Sequence, residues 1–385
     1  MFTEVWIRSI GEEYERYGEY KYEWWLAGMR PLTDDKKRAL VEHWGSAREV
    51  YNGIYYIEER QKKQLHFLKA EEIDRLQNWA RTQDVEKLYE QGQRLGVRLV
   101  TWFDEAYPKR LKNLIKMPYG IYVKGKLPAE DRPTAAIVGA RRCTPYGEEL
   151  SIIHAENLAL AGVQVISGMA RGIDSISQRA AIEAGGESYG VLGCGVDVCY
   201  PKENKGLYID LQKHGGILSE LPPGTAPLWE YFPARNRMIS GLADMILVME
   251  AKEKSGSLIT ATFALDQGKT IYALPGPVTS ELSKGCNRII SDGAVPLLSP
   301  KYLLEQEDLK LLKNHTNPPS DRVKNEKVLE SPEKLLYATV GLFPKSLDTL
   351  QAESGMKRTD MVHALVSLEM KGYIREISRN HFVKA

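Results

Sequence analysis

The chain has 385 residues, about two to three times the length of a typical domain, which predicts more than one folded unit. Hydrophobic residues make up 43% of it and charged residues 27%, a composition that excludes wholesale disorder. Because 52 Lys and Arg residues balance 51 Asp and Glu residues to a net charge of +1, the chain has no overall cationic field that would attract nucleic acid. Any basic site must therefore be local.

Membrane insertion and metal binding find little support in the sequence. The longest apolar runs fall short of the ~20 residues of a membrane span, and residues 1–11 lack the pattern of a signal peptide, so we expect a cytoplasmic protein without a membrane partner. The cysteines form no CxxC pair and have no histidine at ligand spacing, which predicts reduced thiols and no metal site. They are Cys143, Cys194, Cys199 and Cys286.

In chain order, the first predicted unit is a small helical domain at residues 1–84. Six of the seven tryptophans lie within the first 102 residues, and apolar residues recur there at helical spacing, as in Trp24-Trp25-Leu26. These aromatic side chains could stack on bases, but their spacing favours a hydrophobic core.

Residues 85–312 alternate short apolar runs with helix-length amphipathic segments, which is the pattern of a parallel sheet covered by helices on both faces. The predicted strands are Ala135–Val138, Val163–Ile166, Tyr189–Leu192, Ile217–Leu218, Met245–Met249, Ile271–Leu274 and Val295–Leu298. The predicted helices are Tyr146–Ala161, Ser175–Ala184, Gly206–Lys213, Ser257–Asp266 and Cys286–Ser291. Thr144-Pro145 is a typical helix start. We predict an α/β fold with an extended Rossmann-like parallel sheet.

The remaining residues predict a linker and a third unit. Residues 313–331 are rich in charge and proline, as linkers are. Residues 332–385 predict three helices and a hairpin, the order of a winged helix, at Leu335–Phe343, Ser346–Ser354, Thr359–Lys371 and 373–384. Lys345–Ala385 holds seven Lys and Arg against five Asp and Glu, so a protein contact and weak duplex DNA binding are equally supported.

Several strand-to-helix junctions of the sheet region carry glycine and arginine. They are Gly139-Ala140-Arg141-Arg142, Gly168-Met169-Ala170-Arg171-Gly172, Gly193-Cys194-Gly195 and Ser255-Gly256-Ser257. Helix N termini at the carboxyl edge of a parallel sheet attract anions, glycine lets the backbone approach a phosphate, and arginine donates to its oxygens. A single junction of this kind is often only turn chemistry. Several in one sheet predict a phosphate-binding rim.

A segment between the fourth and fifth predicted strands, Leu221–Leu242, combines cationic and aromatic residues. They are Trp229, Tyr231, Phe232, Arg235, Asn236 and Arg237. This mixture suits a single strand of nucleic acid, because phosphates need positive charge and unpaired bases stack on aromatic rings. The alternative is that Phe232 and Met238 belong to the core and the arginines to a helix surface.

Catalytic machinery is not evident. Gly268-Lys269-Thr270 resembles the end of a P-loop but lies between a helix and a strand, the reverse of the required order. Gly193-x-Gly195 has Val198 in place of the third small residue of a dinucleotide fingerprint. His154 and His214 fall within helices, and no nucleophile elbow is present. We predict no catalytic residue and no cofactor.

These motifs resemble those of the DNA-processing protein A (DprA, or Smf) family, and the resemblance extends in the family's order from Tyr107-Pro108 to Gly293-Ala294. It rests on Gly139-Ala140-Arg141, Ser167–Asp174, Gly195–Asn204, Phe232–Arg237, Ser255–Ala261, Pro275-Gly276 and Gly285-Cys286-Asn287. Ala140 departs from the serine or threonine that the family commonly carries before the first arginine.

The resemblance implies a core that binds single-stranded DNA as a homodimer, shields incoming strands in natural transformation and loads the RecA recombinase. By motif, Arg141 and Arg235 would be the principal phosphate contacts. The residues that would shape the pocket are Gly139, Gly168, Arg171, Gly172, Asn236, Arg237, Gly256 and Ser257. With Arg142, five arginines at ~0.7 each predict a slope of about −3.5 for log K against log[salt]. The helical (SAM or helix-hairpin-like) and winged-helix-like segments look like accessory domains of some members.

Two other functions stay open. Nucleotide phosphoribohydrolases resemble this sheet, but the nearest match to their loop, Pro222-Pro223-Gly224-Thr225, has no glutamate at the catalytic spacing. An adaptor with a vestigial pocket would bind a protein partner and no DNA.

Overall fold

The N-terminal segment folds into helices whose tryptophans form a core. The computed structural model describes residues 19–305, 331–341 and 344–384. Its first helices are α1 (residues 19–28), α2 (Asp34–Trp44), α3 (Ala47–Tyr55), α4 (Glu59–Lys62), α5 (Ala70–Thr82) and α6 (Val85–Arg94). Trp24 and Trp25 are buried, and the indole Nε1 of Trp79 donates to the carbonyl of Trp25 at 3.0 Å. The predicted core role of these tryptophans is confirmed.

This helical segment shares its core with the edge of the central sheet. The cluster that contains Leu26 and Leu76 continues to Leu99 and Tyr122 of the sheet. Helix α6 follows the predicted boundary at residue 84 and packs on the same cluster, since a Cβ at Gly92 would overlap the Trp24 ring. The helical segment therefore extends to the start of the first strand.

The central sheet has nine strands in the described residues. They are β1 (Arg98–Thr101), β2 (Gly120–Gly125), β3 (Thr134–Val138), β4 (Gln164–Ser167), β5 (Ser188–Val191), β6 (Gly215–Ser219), β7 (Met245–Val248), β8 (Thr270–Ala273) and β9 (Val295–Pro296). Their spatial order is β1-β2-β6-β5-β4-β3-β7-β8-β9. Strands β3 to β9 are parallel, as predicted. The antiparallel pair β1 and β2 was not predicted, because no crossover helix of full length marks these strands.

Helices cover both faces of the parallel part. They are α7 (Lys109–Lys112), α8 (Pro145–Leu160), α9 (Ile173–Glu183), α10 (Lys205–Lys213), α11 (Tyr231–Leu242), α12 (Gly256–Asp266), α13 (Lys284–Ser291) and α14 (Pro300–Leu304), with a 3₁₀ turn at Lys202–Asn204. Helices α8 and α9 bury Leu158 and Ala180 on one face, and α11 and α12 bury Ile239 and Ala264 on the other. In the described part of the chain, no helix has both the length and the apolar character needed to cross a membrane.

The C-terminal segment has the predicted order of helices and hairpin. Its elements are α15 (Ser331–Thr339), β10 (Lys345–Ser346), α16 (Leu347–Ser354), α17 (Arg358–Met370), β11 (Ile374–Ser378) and β12 (His381–Lys384). The strands form a small sheet in the order β10-β12-β11. Arg375 of this segment pairs with Glu148 of α8 at 3.3 Å. The predicted linker lies, apart from its last residue, outside the described residues, and the winged-helix assignment stays a prediction.

Candidate nucleic-acid interface

A small pocket lies at the carboxyl ends of β3, β4 and β5. It is lined by Arg141, Gly168, Ala170, Arg171, Tyr200, Pro201, Phe232 and Arg235, and none of these lining residues is acidic. The cavity volume is ≈ 20 Å³, room for about one water molecule. The structure therefore gathers Arg141, Gly168, Arg171 and Arg235, which the sequence predicted, around one opening.

Two glycines let the loops after β3 and β4 pack backbone against backbone. Gly172 has a φ of +71°, and a Cβ there would overlap the carbonyl oxygen of Ala140. A Cβ at Gly139 would lie 2.7 Å from the side chain of Ile173, whose amide donates to the Ala140 carbonyl at 3.2 Å. This close packing places the arginines of both loops on the same rim.

Two polar side chains fix the loop after β4. The buried carboxylate of Asp174 accepts hydrogen bonds from the amides of Gly168 at 3.1 Å and Ala170 at 3.4 Å. The Nδ2 of Asn204 donates to the carbonyls of Met169 at 2.9 Å and Ala170 at 3.3 Å. Asp174 thereby organises the loop that carries Arg171.

Arg235 forms the floor of the pocket and is only 6% exposed. Its Nη1 donates to the carbonyls of Gly168, at 2.9 Å, and Val191. Gly168 has to be glycine because a Cβ would lie 2.6 Å from the guanidinium. Burial lowers the pKa of Arg235 to about 10 and raises that of Asp174, and the attraction between the two charges opposes both shifts. A pKa of about 10 keeps Arg235 charged at neutral pH.

Aromatic rings form one side of the pocket. The rings of Phe232 and Tyr200 lie 5.5 Å apart at an angle of 35°. The guanidinium carbons of Arg141 and Arg235 are 5.9 Å and 6.0 Å from the centre of the Phe232 ring. Gly193 makes room for this ring, since a Cβ there would approach it to 2.9 Å. Positive charge and π-faces therefore lie side by side, the combination that suits an unpaired strand.

The two exposed arginines that line the pocket differ in their partners. Arg171 pairs with Glu203 at 2.5 Å, with 58% and 61% of the two side chains exposed. A backbone amide and Arg171 lower the pKa of Glu203. Exposed ion pairs of this kind are weak and screened by salt, so a phosphate can replace the Glu203 carboxylate. Arg141 is exposed and has no ion-pair partner among the residues that the structure describes.

Arg237 is not among the residues that line the pocket, and its predicted place in the site stays a prediction. It lies two residues after Arg235 on α11, and side chains at that spacing leave a helix in different directions. It pairs with Glu220, and only 13% and 16% of the two side chains are exposed. Burial raises the pKa of Glu220, and the charge of Arg237 opposes this shift. In the structure, the Arg237 guanidinium is therefore paired with a carboxylate of the protein itself.

Asn236, Gly256 and Ser257 border the pocket from the side of α12 without lining it. Asn236 accepts a hydrogen bond from the Nε of Arg235 and donates to the carbonyl of Gly256, both at 3.2 Å. The Ser255 hydroxyl caps α12 by accepting from the Ser257 amide at 3.4 Å. No atom lies within 4 Å of a Cβ at Gly256, so packing does not require glycine there. The start of α12 is thus tied to Arg235 through Asn236.

The N terminus of α8 is already occupied by a carboxylate. It lies between β3 and β7, where the strand order reverses and where open α/β sheets usually bind ligands. The buried Glu250 accepts hydrogen bonds from the amide of Thr144 at 2.8 Å and from its hydroxyl at 2.5 Å. A Cβ at Gly147 would overlap this carboxylate. An external phosphate therefore has no place there, and the candidate site lies at β3 to β5 instead.

The three aromatic residues of the predicted insertion have different surroundings. Phe232 lines the pocket, whereas Trp229 is 82% exposed just before α11. Tyr231 contacts the helical segment, with the guanidinium carbon of Arg30 at 4.5 Å from its ring centre. Met238 is buried, so the core reading of this residue is confirmed.

Tyr200 and Pro201 line the pocket although the sequence analysis did not name them as site residues. Both occur in the motif that follows β5, where an aromatic residue beside a glycine-rich strand end could have indicated a base-stacking position. No local sequence pattern indicated that Glu250 occupies the N terminus of α8, because its partner Thr144 is 106 residues away in the sequence.

Other titratable groups form no second chemical centre in residues 19–305, 331–341 and 344–384. No group of three His, Cys, Asp or Glu residues there could hold a metal ion. The four cysteines are free thiols, as predicted, and burial raises the pKa of Cys194 to about 11. His154 is buried beside the Leu150 carbonyl at 2.7 Å, and its burial lowers its pKa.

The pocket falls within a region that matches a known family. The model of DNA recombination-mediator protein A matches residues 98–308, more than half of the chain. The chain belongs to this family. Its relatives include Smf of Escherichia coli, 36% identical over 280 residues that cover 71% of this chain and 74% of Smf. DprA of Streptococcus pneumoniae is 39% identical over 206 residues, 53% of this chain and 72% of that protein.

Solved structures of DprA proteins agree with the fold. The X-ray structure of DprA from S. pneumoniae matches with a TM-score of 0.64 and 30% identity, over 74% of this chain and 98% of that one. DprA from Helicobacter pylori, in a structure that describes its single-stranded DNA binding mode, matches with a TM-score of 0.51 and 30% identity, over 57% and 97%. The predicted DprA resemblance and the Rossmann-like fold are confirmed. The family's names describe DNA processing and recombination mediation rather than a catalysed reaction.

Proposed function

We propose that this protein binds single-stranded DNA in the pocket at the carboxyl ends of β3, β4 and β5. The observation that carries this proposal is the convergence of Arg141, Arg171 and Arg235 around Phe232. The guanidinium groups neutralise backbone phosphates, and Phe232 with Tyr200 offers rings on which unpaired bases stack. The single-stranded DNA binding mode described for the H. pylori relative supports the assignment.

Because the cavity is small, a strand binds across its opening rather than inside it. About one water molecule fits within, which is far less than a nucleoside monophosphate needs. The lining also lacks the carboxylate on which a phosphoribohydrolase depends. The geometry therefore gives that alternative no support, and incubation with nucleoside monophosphates is expected to release no free base.

The cellular role that we propose is based on family membership. We propose that the protein acts in the cytoplasm as a homodimer, shields incoming single strands during natural transformation and loads RecA onto them. The family's description as a recombination mediator supports the proposed loading of RecA onto single-stranded DNA. Sedimentation of the full chain tests the dimer, and RecA-driven strand exchange on DNA covered by a single-strand binding protein tests the loading. A monomer at micromolar concentration, or unchanged strand exchange, contradicts the respective proposal.

Fluorescence anisotropy with labelled oligo-dT and a duplex of the same length tests the DNA pocket. The wild type binds oligo-dT more tightly than the duplex, because paired bases cannot reach the rings. Arg141→Ala weakens oligo-dT binding about tenfold, the loss expected for one charge-assisted contact. The matched control is Arg94→Ala, since Arg94 is an exposed arginine paired only with Glu90 on its own helix. Equal binding by wild type and Arg141→Ala contradicts the proposal.

A further inference from the structure

We propose that the helical N-terminal segment positions the aromatic side of the DNA pocket through the contact between Arg30 and Tyr231. This inference rests on the proposed single-stranded DNA binding. Arg30 follows α1 in the chain, and Tyr231 is the first residue of α11. The distance of 4.5 Å between the Arg30 guanidinium carbon and the Tyr231 ring centre is within the range of a cation–π contact.

Helix α11 connects this contact directly to the pocket. Phe232 follows Tyr231 in the chain, and Arg235 comes one turn later; both line the pocket. Successive residues of a helix project about 100° apart, so Tyr231 and Phe232 reach different neighbours from the same turn. Glu230, at the N-cap position, gives α11 no side-chain capping bond. The first turn therefore depends on its side-chain contacts for its position.

Charges of the helical segment also act on a residue pair further along the same helix. The Arg237–Glu220 pair lies close to α2, whose Asp34 and Lys37 shift the pKa of Glu220 in opposite directions. Asp34 and Lys37 are themselves paired at 3.0 Å. The contact at Tyr231 joins the helical segment to the turn of α11 that carries the pocket residue Phe232.

Arg30 is a positioning residue in this account and does not touch DNA. Its loss leaves Arg141 and Arg235 in place, because the loop of Arg141 packs against Gly172 and the Arg235 guanidinium is held by the carbonyls of Gly168 and Val191. The first turn of α11 is then no longer fixed, and the Phe232 ring is no longer held against the Tyr200 ring. The part of the affinity that comes from base stacking therefore falls, while the part that comes from phosphates stays.

Two labelled strands of equal length separate these parts: oligo-dT and an abasic strand that keeps only sugars and phosphates. In the full-length protein, Arg30→Ala weakens binding of oligo-dT about two- to five-fold, the factor expected for a partly exposed cation–π contact, and leaves binding of the abasic strand unchanged. Arg30→Lys keeps the cation and restores part of the oligo-dT affinity. Arg48→Ala is the matched control, since Arg48 lies 5.6 Å from the Tyr22 ring and pairs with Glu19, within the helical segment.

Tyr231→Leu provides a second variant. It reproduces the loss seen with Arg30→Ala, and the double variant loses no more than either single one. A wild type that binds neither strand overturns the proposed function and this inference together. A wild type that prefers oligo-dT, with Arg30→Ala keeping the full preference, refutes the positioning role alone. Equal weakening for both strands, with a lower unfolding midpoint, shows a general folding role and refutes it as well.

Discussion

Arg235 and Arg237 lie two positions apart on α11 and have opposite surroundings. Arg235 donates to backbone carbonyls at the floor of the pocket, whereas Arg237 pairs with Glu220 inside the protein. In the sequence, both residues are cations close to aromatic residues, and nothing local distinguishes them. The direction in which each side chain leaves the helix decides which of them can reach a ligand.

Arg237→Ala is therefore expected to affect folding rather than DNA contacts. It leaves the Glu220 carboxylate without its partner, which costs on the order of 3 kcal/mol of unfolding free energy. The salt dependence of oligo-dT binding stays that of the wild type. Urea denaturation and titration at several salt concentrations measure the two effects. A reduced salt dependence with an unchanged denaturation midpoint would place Arg237 among the phosphate contacts after all.

Glu23 makes the stability depend on pH. Its buried carboxylate accepts a hydrogen bond from the Tyr119 hydroxyl at 2.6 Å. Burial raises its pKa from 4.5 to about 8; the Tyr119 bond opposes this shift, and the nearby charges of Asp104 and Glu19 add to it. Between these two pH values the folded chain keeps a proton that the unfolded chain has released. The stabilisation is thus complete at low pH and is lost as the pH rises towards 8.

Glu23→Gln, which is neutral at every pH, removes this dependence. Relative to the variant, the wild type is expected to lose on the order of a few kcal/mol of unfolding free energy between pH 5 and pH 8. Urea denaturation of both proteins at the two pH values measures the difference. Parallel pH profiles would show that Glu23 keeps an ordinary pKa.

Among the elements, the loops after β3 and β4 depend on one left-handed glycine. Gly172→Ala places a side chain at φ +71° against the Ala140 carbonyl, so it lowers the free energy of unfolding by more than ~1 kcal/mol and weakens oligo-dT binding. Gly256→Ala is the control, because its Cβ meets no atom within 4 Å. Thermal unfolding is expected to show a lower midpoint for Gly172→Ala and an unchanged midpoint for Gly256→Ala. An equal loss in both would contradict the packing of the two loops.

The parallel strands and their helices could be predicted because their local signals agree. Buried parallel strands are continuous apolar runs, and Thr144-Pro145 marks the start of α8 as expected. Strands β1 and β2 lack crossover helices and were missed. The occupation of the α8 N terminus by Glu250 depends on a contact across 106 residues, which no local pattern reveals. Arg141, Gly168 and Arg171 were found because they follow strand ends, and Arg235 was found because it stands among aromatic residues in the segment before β7.

Because the whole molecule has a net charge of only +1, the proposed DNA binding depends on one local group of arginines. The helical segment shares a core with the sheet, and the C-terminal segment contacts α8 through Arg375 and Glu148. Helix α17 exposes Val362, Val366 and Met370 at a spacing of four residues.

The salt dependence of oligo-dT binding reports how many phosphates the pocket neutralises. We expect the three arginines that line the pocket, Arg141, Arg171 and Arg235, to neutralise one phosphate each, so log K against log[salt] falls with a slope of about −2.1. Arg141→Ala reduces the slope by about 0.7. A slope near zero, or the same slope in wild type and variant, would contradict a phosphate-binding pocket at this edge of the sheet.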